Sequence, residues 1–209
     1  MIRRVTVAAA LLLVLAAGIS QAADSPLKVA TVDMALVSEK YTALQAKSQS
    51  LMEWQNAQYS RLVSLQDYML LSADNFAEVA ALLAAPQPLP DDKAKRLTEL
   101  RNLANDKMKQ FDDLHAKANR TAQEDEAYKS LSDLYATSKA RLDEQLASLK
   151  TDYQQQVTQN RDGFYKKVVD VAAALAKSDG YLMVLDSSVV LVGGTDITDK
   201  VIAKLNEAK

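Results

Sequence analysis

Residues Lys28–Leu44 read KVATVDMALVSEKYTAL, and the change of period inside this stretch decides the fold class. Val29, Thr31 and Val32 make it short and β-branched at its start, the composition of a strand. From Ala35 the apolar positions recur at steps of three and four, at Val37, Tyr41 and Leu44, which marks one face of a helix. A strand over Lys28–Met34 leading directly into a long helix is therefore expected.

Toward the C-terminus the helical period continues at Leu51, Leu62, Leu65 and Met69, while Ser48, Gln55 and Gln58 fall on intervening seam positions. A heptad with polar gaps predicts a loose arm, partly open to water, in place of a dry two-stranded seam. No glycine lies between Gly18 and Gly163, and past the first residues the only prolines are Pro26 and the cluster Pro86, Pro88 and Pro90. Helix interiors exclude both residue types, glycine for its backbone entropy and proline for its missing N–H. Long helices with few interruptions follow from that usage. Ser72-Ala73-Asp74-Asn75 supplies N-capping side chains for a restart, the proline cluster stops that helix, and Asp91 and Asp92 are suited to cap the next, which should end near Asn119-Arg120. Thr121-Ala122-Gln123-Glu124 has the form of a capping box, in which each side chain satisfies the other residue's orphan backbone N–H.

The helix that starts there carries Tyr128, Leu131 and Tyr135, then Leu142, Leu146, Leu149, Tyr153, Val157, Phe164, Val168, Val171 and Leu175 on its stripe. The later spacing approaches an eleven-residue repeat and predicts nearly straight packing. Up to Lys177 such a helix would extend on the order of 80 Å. Gly180 is placed to close it with a left-handed cap. Tyr181–Leu185 (YLMVL) and Val189–Val192 (VVLV) then read as a hairpin or two closely linked strands, and Gly193-Gly194 as a turn. Thr198 is the expected cap of a short final helix, with Ile197 and Ile202 at the spacing of a hydrophobic staple.

The resulting fold class is α+β, mostly α: a small β platform from both chain ends, at 23–34 and 179–209, carries a long antiparallel helical arm over 35–178, with breaks near 72, 86–90 and 119–122. Three short strands bury too little surface to stand alone. The platform is therefore expected to oligomerise, with Val29, Val32, Leu182, Val184, Val189 and Leu191 supplying its apolar faces.

The first residues read as an export signal. Arg3 and Arg4 form a basic start, Val5–Ile19 an apolar run, and Ser20-Gln21-Ala22 a cleavage site, so 1–22 is the expected leader. The apolar run of about 15 residues is shorter than the roughly 20 that cross a bilayer. The chain contains no cysteine, which removes both a lipoprotein acceptor and any disulfide. Without Arg3 and Arg4 the count is 23 basic against 27 acidic residues, and the net charge moves from −2 to about −4. That balance argues against a nucleic-acid partner, whose phosphates demand a clustered basic face.

Chemistry-bearing constellations are sparse. His115 is the only histidine and reads as a surface residue, since metal or general-base work needs converging partners. Gly193-Gly194 lacks the lysine and flanking glycine of a phosphate loop. Glu124, Asp125 and Glu126, with Lys129 nearby, look like a solvated helix face, and Asn119-Arg120-Thr121 matches a glycosylation sequon by chance. No enzyme, cofactor or metal site is expected.

The start KVATVDM with Ser38-Glu39 and Tyr41 behind it, and the end Gly180–Asp186, Val189–Val192 and Asp196-Ile197-Thr198-Asp199 with its closing helix, resemble the Skp (OmpH) family of periplasmic chaperones. The resemblance covers both ends well and the middle only as helical arm. It implies a homotrimer whose strands join in a central body, with helical arms around a cavity that holds unfolded outer-membrane proteins without ATP. Trp54, Tyr59, Tyr68 and Met69 are candidates for an adaptable client-binding arm surface, with packing against the returning helix as the favoured use of the set. The arm here is longer and more broken than the family's. The acidic balance also gives little support to contact with lipopolysaccharide or a membrane surface. A structural coiled-coil spacer of the cell envelope is the rival function.

Overall fold

The computed structural model describes residues 28–207; the expected leader at 1–22 and the expected platform residues 23–27 lie outside the described residues. The elements run β1 (Val29–Val32), α1 (Met34–Lys40), α2 (Thr42–Leu65), α3 (Ala73–Ala84), α4 (Asp91–Ala116), α5 (Ala122–Asp179), β2 (Met183–Asp186), β3 (Thr195–Asp196) and α6 (Thr198–Glu207), with single 3-10 turns at Gln66–Tyr68 and Ser187–Val189. The fold is α+β and mostly α. The described residues divide into two compact units, one made of 28–41 and 165–207, the other Thr42–Phe164. The division thus falls later than 34/35 and earlier than 178/179, because α1 and the end of α5 bury Val37, Tyr41, Val168 and Ala172 in the unit that holds the sheet.

In that unit β1 is the middle strand, and both neighbours run parallel to it in the order β2-β1-β3. Val29 pairs with Met183 and Val32 with Asp186 on one side, Ala30 with Thr195 and Thr31 with Asp196 on the other. The expected hairpin of Tyr181–Leu185 with Val189–Val192 does not form. A tight turn can join only antiparallel neighbours, whereas here the chain must pass from one edge of β1 to the other. The Asp186 carboxylate accepts from the Ser188 N–H at 2.9 Å and starts the 3-10 turn. Gly193 and Gly194, at φ +94° and +90°, then return the chain to the far edge, leaving 190–192 outside the sheet.

The strand also stops earlier than expected, at Val32, since Asp33 caps α1 by accepting from the Leu36 N–H at 2.9 Å. The Asp33 N–H donates to Thr198 Oγ1 at 2.9 Å. Thr198 was the expected cap of α6, but its hydroxyl is used by the β1–α1 junction and by Asp196. Asp196 takes the capping role by accepting from the Thr198 N–H at 2.8 Å. The helix expected to run on from Ala35 breaks at Tyr41, which has extended backbone. Tyr41 is buried, its hydroxyl accepts from Lys167 Nζ at 3.3 Å, and the Asn206 amide donates to the freed Lys40 carbonyl at 3.1 Å. At the end of α5 Gly180 takes φ +74° and the Tyr181 N–H reaches back to the Ala176 carbonyl at 2.9 Å, the bond of a Schellman cap.

In the second unit α3 and α4 fold back over the end of α2. Leu65, Tyr68, Leu71, Phe76, Val79 and Leu82 pack with Leu100 and Ala104 of α4 and with Leu142 of α5. Leu70 joins a second cluster instead, with Leu114 and Leu131 and with Met108, Phe111, Tyr128 and Tyr135 packed against it. Ser72 caps α3, accepting from the Asn75 N–H at 3.4 Å. Pro90, not Asp91 or Asp92, occupies the cap position of α4, and the two aspartates sit in its first turn, where they favour the positive end of the helix dipole. α4 ends at Ala116, short of Asn119, with the Arg120 guanidinium donating to the Leu114 carbonyl at 2.8 Å. The capping box at Thr121 and Glu124 is formed, with reciprocal N–H bonds of 2.9 and 3.3 Å.

Candidate functional site

Two sets of surfaces are open for binding, one in each unit. In the sheet-bearing unit an open apolar groove of about 440 Å³ runs between β2 and the end of α5, with Val32, Val168, Ala172, Leu182 and Val184 among its walls. The pleat of β2 places Val184 inward and leaves Met183 and Leu185 exposed. The connection after β2 carries Val189 at 73% exposure, Leu191 at 101% and Val192 at 93%. Of the six residues expected on the platform faces, Val32 is buried, Val29 and Val184 are half-buried, and Leu182, Val189 and Leu191 stand open. Met183, Leu185 and Val169 are further exposed apolar residues of this unit that went unnamed. The alternation within YLMVL carried the signal for the first two.

Two carboxylates fix this surface. The Thr198 hydroxyl and N–H hold the Asp196 carboxyl below the usual carboxylate range, and Lys200 Nζ, at 2.6 Å, together with the Ser178 hydroxyl does the same for Asp179. Both ionised groups tie α6 to its neighbours, at β3 and at the end of α5 respectively.

In the second unit two open grooves flank Leu149 of α5. The smaller, about 270 Å³, is bordered by Trp54, Leu62 and Leu65. The larger, about 680 Å³, lies between Gln55 and Tyr59 of α2 and Leu146 and Lys150 of α5. Met52, Tyr59 and Val63 recur at helical spacing on α2 and are exposed, as are Leu146 and Val157 of α5, both of which belong to the stripe expected to pack. The four candidate client-binding residues do not share one surface. Tyr59 is 54% exposed and Trp54 half-buried, whereas Tyr68, at 3%, lies in the packed cluster and Met69 packs against it. Tyr68 takes the packing use: the turn after α2 directs its ring inward, and its hydroxyl accepts from Arg101 Nε at 3.4 Å.

At the α4–α5 turn Phe111 stacks on Tyr128 and Tyr135 at centroid distances of 5.4 and 6.1 Å. Arg120 lies 4.4 Å over the Tyr128 ring. His115 is exposed and its Nδ1 is 2.9 Å from the Tyr128 hydroxyl, a structural contact. Lys117 Nζ, at 2.6 Å, and the Thr121 N–H hold the Glu124 carboxyl at about 2. Among the described residues no three His, Cys, Asp or Glu side chains converge on a metal position, and no helix is long and apolar enough to cross a membrane. The arrangement offers grooves and apolar stripes, the chemistry of binding extended or apolar chain.

A family model described as outer membrane protein (OmpH-like) matches residues 28–205. No curated protein and no solved structure matches the chain.

Proposed function

This chain belongs to the OmpH-like family, and we infer that it is an ATP-independent holdase of the periplasm that binds unfolded outer-membrane proteins and keeps them from aggregating. The observation that carries this reading is the exposed stripe of Met52, Tyr59 and Val63 on α2, whose Tyr59 borders, with Leu146 of α5, the groove of about 680 Å³. Apolar contacts of this kind are non-directional. They suit a client without fixed structure, and amides such as Gln55 and Asn56 at the same groove can satisfy its unpaired backbone.

Export through the leader at 1–22 puts the protein in the client's compartment. Three copies join through the platform, where the open residues Leu182, Val189 and Leu191 gain a partner surface. Enclosure by three arms raises the effective concentration of weak sites around one client. Release follows when the client's own folding or insertion competes for the same apolar segments, and no catalytic step is involved.

The test is aggregation of a denatured outer-membrane β-barrel diluted from urea, followed by light scattering. Stoichiometric protein is expected to suppress the signal without nucleotide. Scattering that stays unchanged at large excess of the protein would end this reading.

A further inference from the structure

Beside the turn into α3 lies a cavity of about 460 Å³, with walls that include Leu71, Ala73, Leu134, Thr137, Ser138 and Arg141. Three features converge there. Ser138 is only 4% exposed, yet among the described residues its hydroxyl takes no hydrogen-bond partner. No sealed side-chain oxygen or nitrogen lacks a partner among those residues, so this hydroxyl opens into the cavity that Ser138 lines. Arg141, one helical turn further along α5 on the same face, is half-buried. It makes no ion pair among the described residues, and its guanidinium lies 5.6 Å over the Phe76 ring. Ala73 begins the 12-residue helix α3. Ser72 supplies acceptors to the N–H groups of Asn75 and Phe76, which leaves the Ala73 N–H ahead of the helical ladder at the cavity wall.

An unpaired guanidinium fork, an idle hydroxyl and a helix N-terminus are the complement of an oxyanion. Charge limits which oxyanion fits. The charged side chains lining the cavity, Glu126 and Asp133 against Lys129 and Arg141, sum to zero, and Asp74 sits in the first turn of α3, so the site takes at most a single negative charge, at its Arg141 end. The fork suits a planar carboxylate, the charge limit selects it over a phosphate dianion, and Leu71 and Leu134 offer apolar wall beside it.

We propose that this cavity binds the terminal carboxylate of an extended peptide whose last residue is apolar. Arg141 takes the carboxylate in a bidentate bond, Ser138 and the α3 N-terminus complete its shell, and Leu71 and Leu134 receive the last side chain. The assignment rests on reading the protein as a binder of unfolded chains, and it gives that reading a site for chain ends.

The test uses the full protein and an N-terminally fluorescein-labelled hexapeptide ending in leucine, prepared as free acid and as amide, with binding read by anisotropy. The free acid is expected to bind roughly tenfold tighter than the amide. Arg141→Gln should erase that preference and Ser138→Ala should weaken the acid a few-fold while leaving the amide alone. Arg141→Lys, which keeps the charge without the fork, should retain only part of it, and circular dichroism establishes that each variant keeps its helix content. Equal binding of acid and amide overturns the proposal, as does a preference that survives Arg141→Gln. Displacement of the peptide by inorganic phosphate at equal concentration overturns it too, in favour of an unselective anion site. The holdase reading is scored separately by light scattering: acid preference without suppression of aggregation sinks that reading and leaves the site standing.

Discussion

A β-carbon added at Gly194 would meet Thr31 Cγ2 at 2.8 Å, and the backbone there holds φ +90°. Both constraints act on Gly194→Ala, which is expected to destabilise the protein by about 1–3 kcal/mol. A urea midpoint equal to wild type would refute the close approach of this turn to β1. Glu124 makes a second prediction at this scale. Its carboxyl drops from an ordinary 4.5 to about 2 through Lys117 first and the Thr121 N–H second. A depressed carboxylate contributes stability that is fully present above the ordinary value and lost as pH falls through the folded value. Protection of the Thr121 amide, the slowing of its exchange relative to the intrinsic rate at the same pH, should therefore be highest above about pH 4.5 and fall as pH drops toward 2. Protection that stays flat across that window would remove Glu124 from the turn. The capping box was legible in the sequence because both its bonds close within three residues. The role of Thr198 was not, because its acceptor function belongs to Asp33, which is 165 positions away in the chain.

Among the elements, α3 and α4 are held by one packed cluster more than by their own propensities, and Phe76 is one of its largest fully buried side chains. Phe76→Ala should cost about 3–5 kcal/mol. Because the cluster spans α2, α3, α4 and α5, the loss should appear as faster hydrogen exchange in all four. Confinement of the change to α3 would show that the cluster is not cooperative. The ends of these helices were readable from Ser72, the proline cluster and Thr121, since caps and prolines act on the nearest turn. The break at Tyr41 was not readable, because 35–44 keeps an unbroken helical period and what ends α1 is the burial of Tyr41 and its bond to Lys167. Tyr68 and Tyr59 likewise look alike in sequence, and only the turn after α2 sends one inward and leaves the other at the groove.

At the scale of the molecule, the sheet-bearing unit leaves Val189 largely and Leu191 wholly in solvent within one copy of the chain, so charging them costs the fold of the protomer little. Val189→Asp combined with Leu191→Asp is expected to drop the sedimenting mass from three protomers to one and, because assembly stabilises the folded chain by mass action, to lower the melting temperature with it. A wild-type protein that already sediments as a monomer, or a double variant that keeps its mass, would discard assembly through this face. Strands at both ends, helices through the middle and most helix starts and stops could be read from the order of residues alone. Those features depend on periodicity, caps, glycine and proline, which act across a turn or two of chain. The central place of β1 between two parallel neighbours, the exclusion of Val189–Val192 from the sheet and the burial of Tyr68 come from packing instead. Each of those outcomes is set by which of several chemically equivalent surfaces meet, and that choice is made by contacts between residues far apart in the chain.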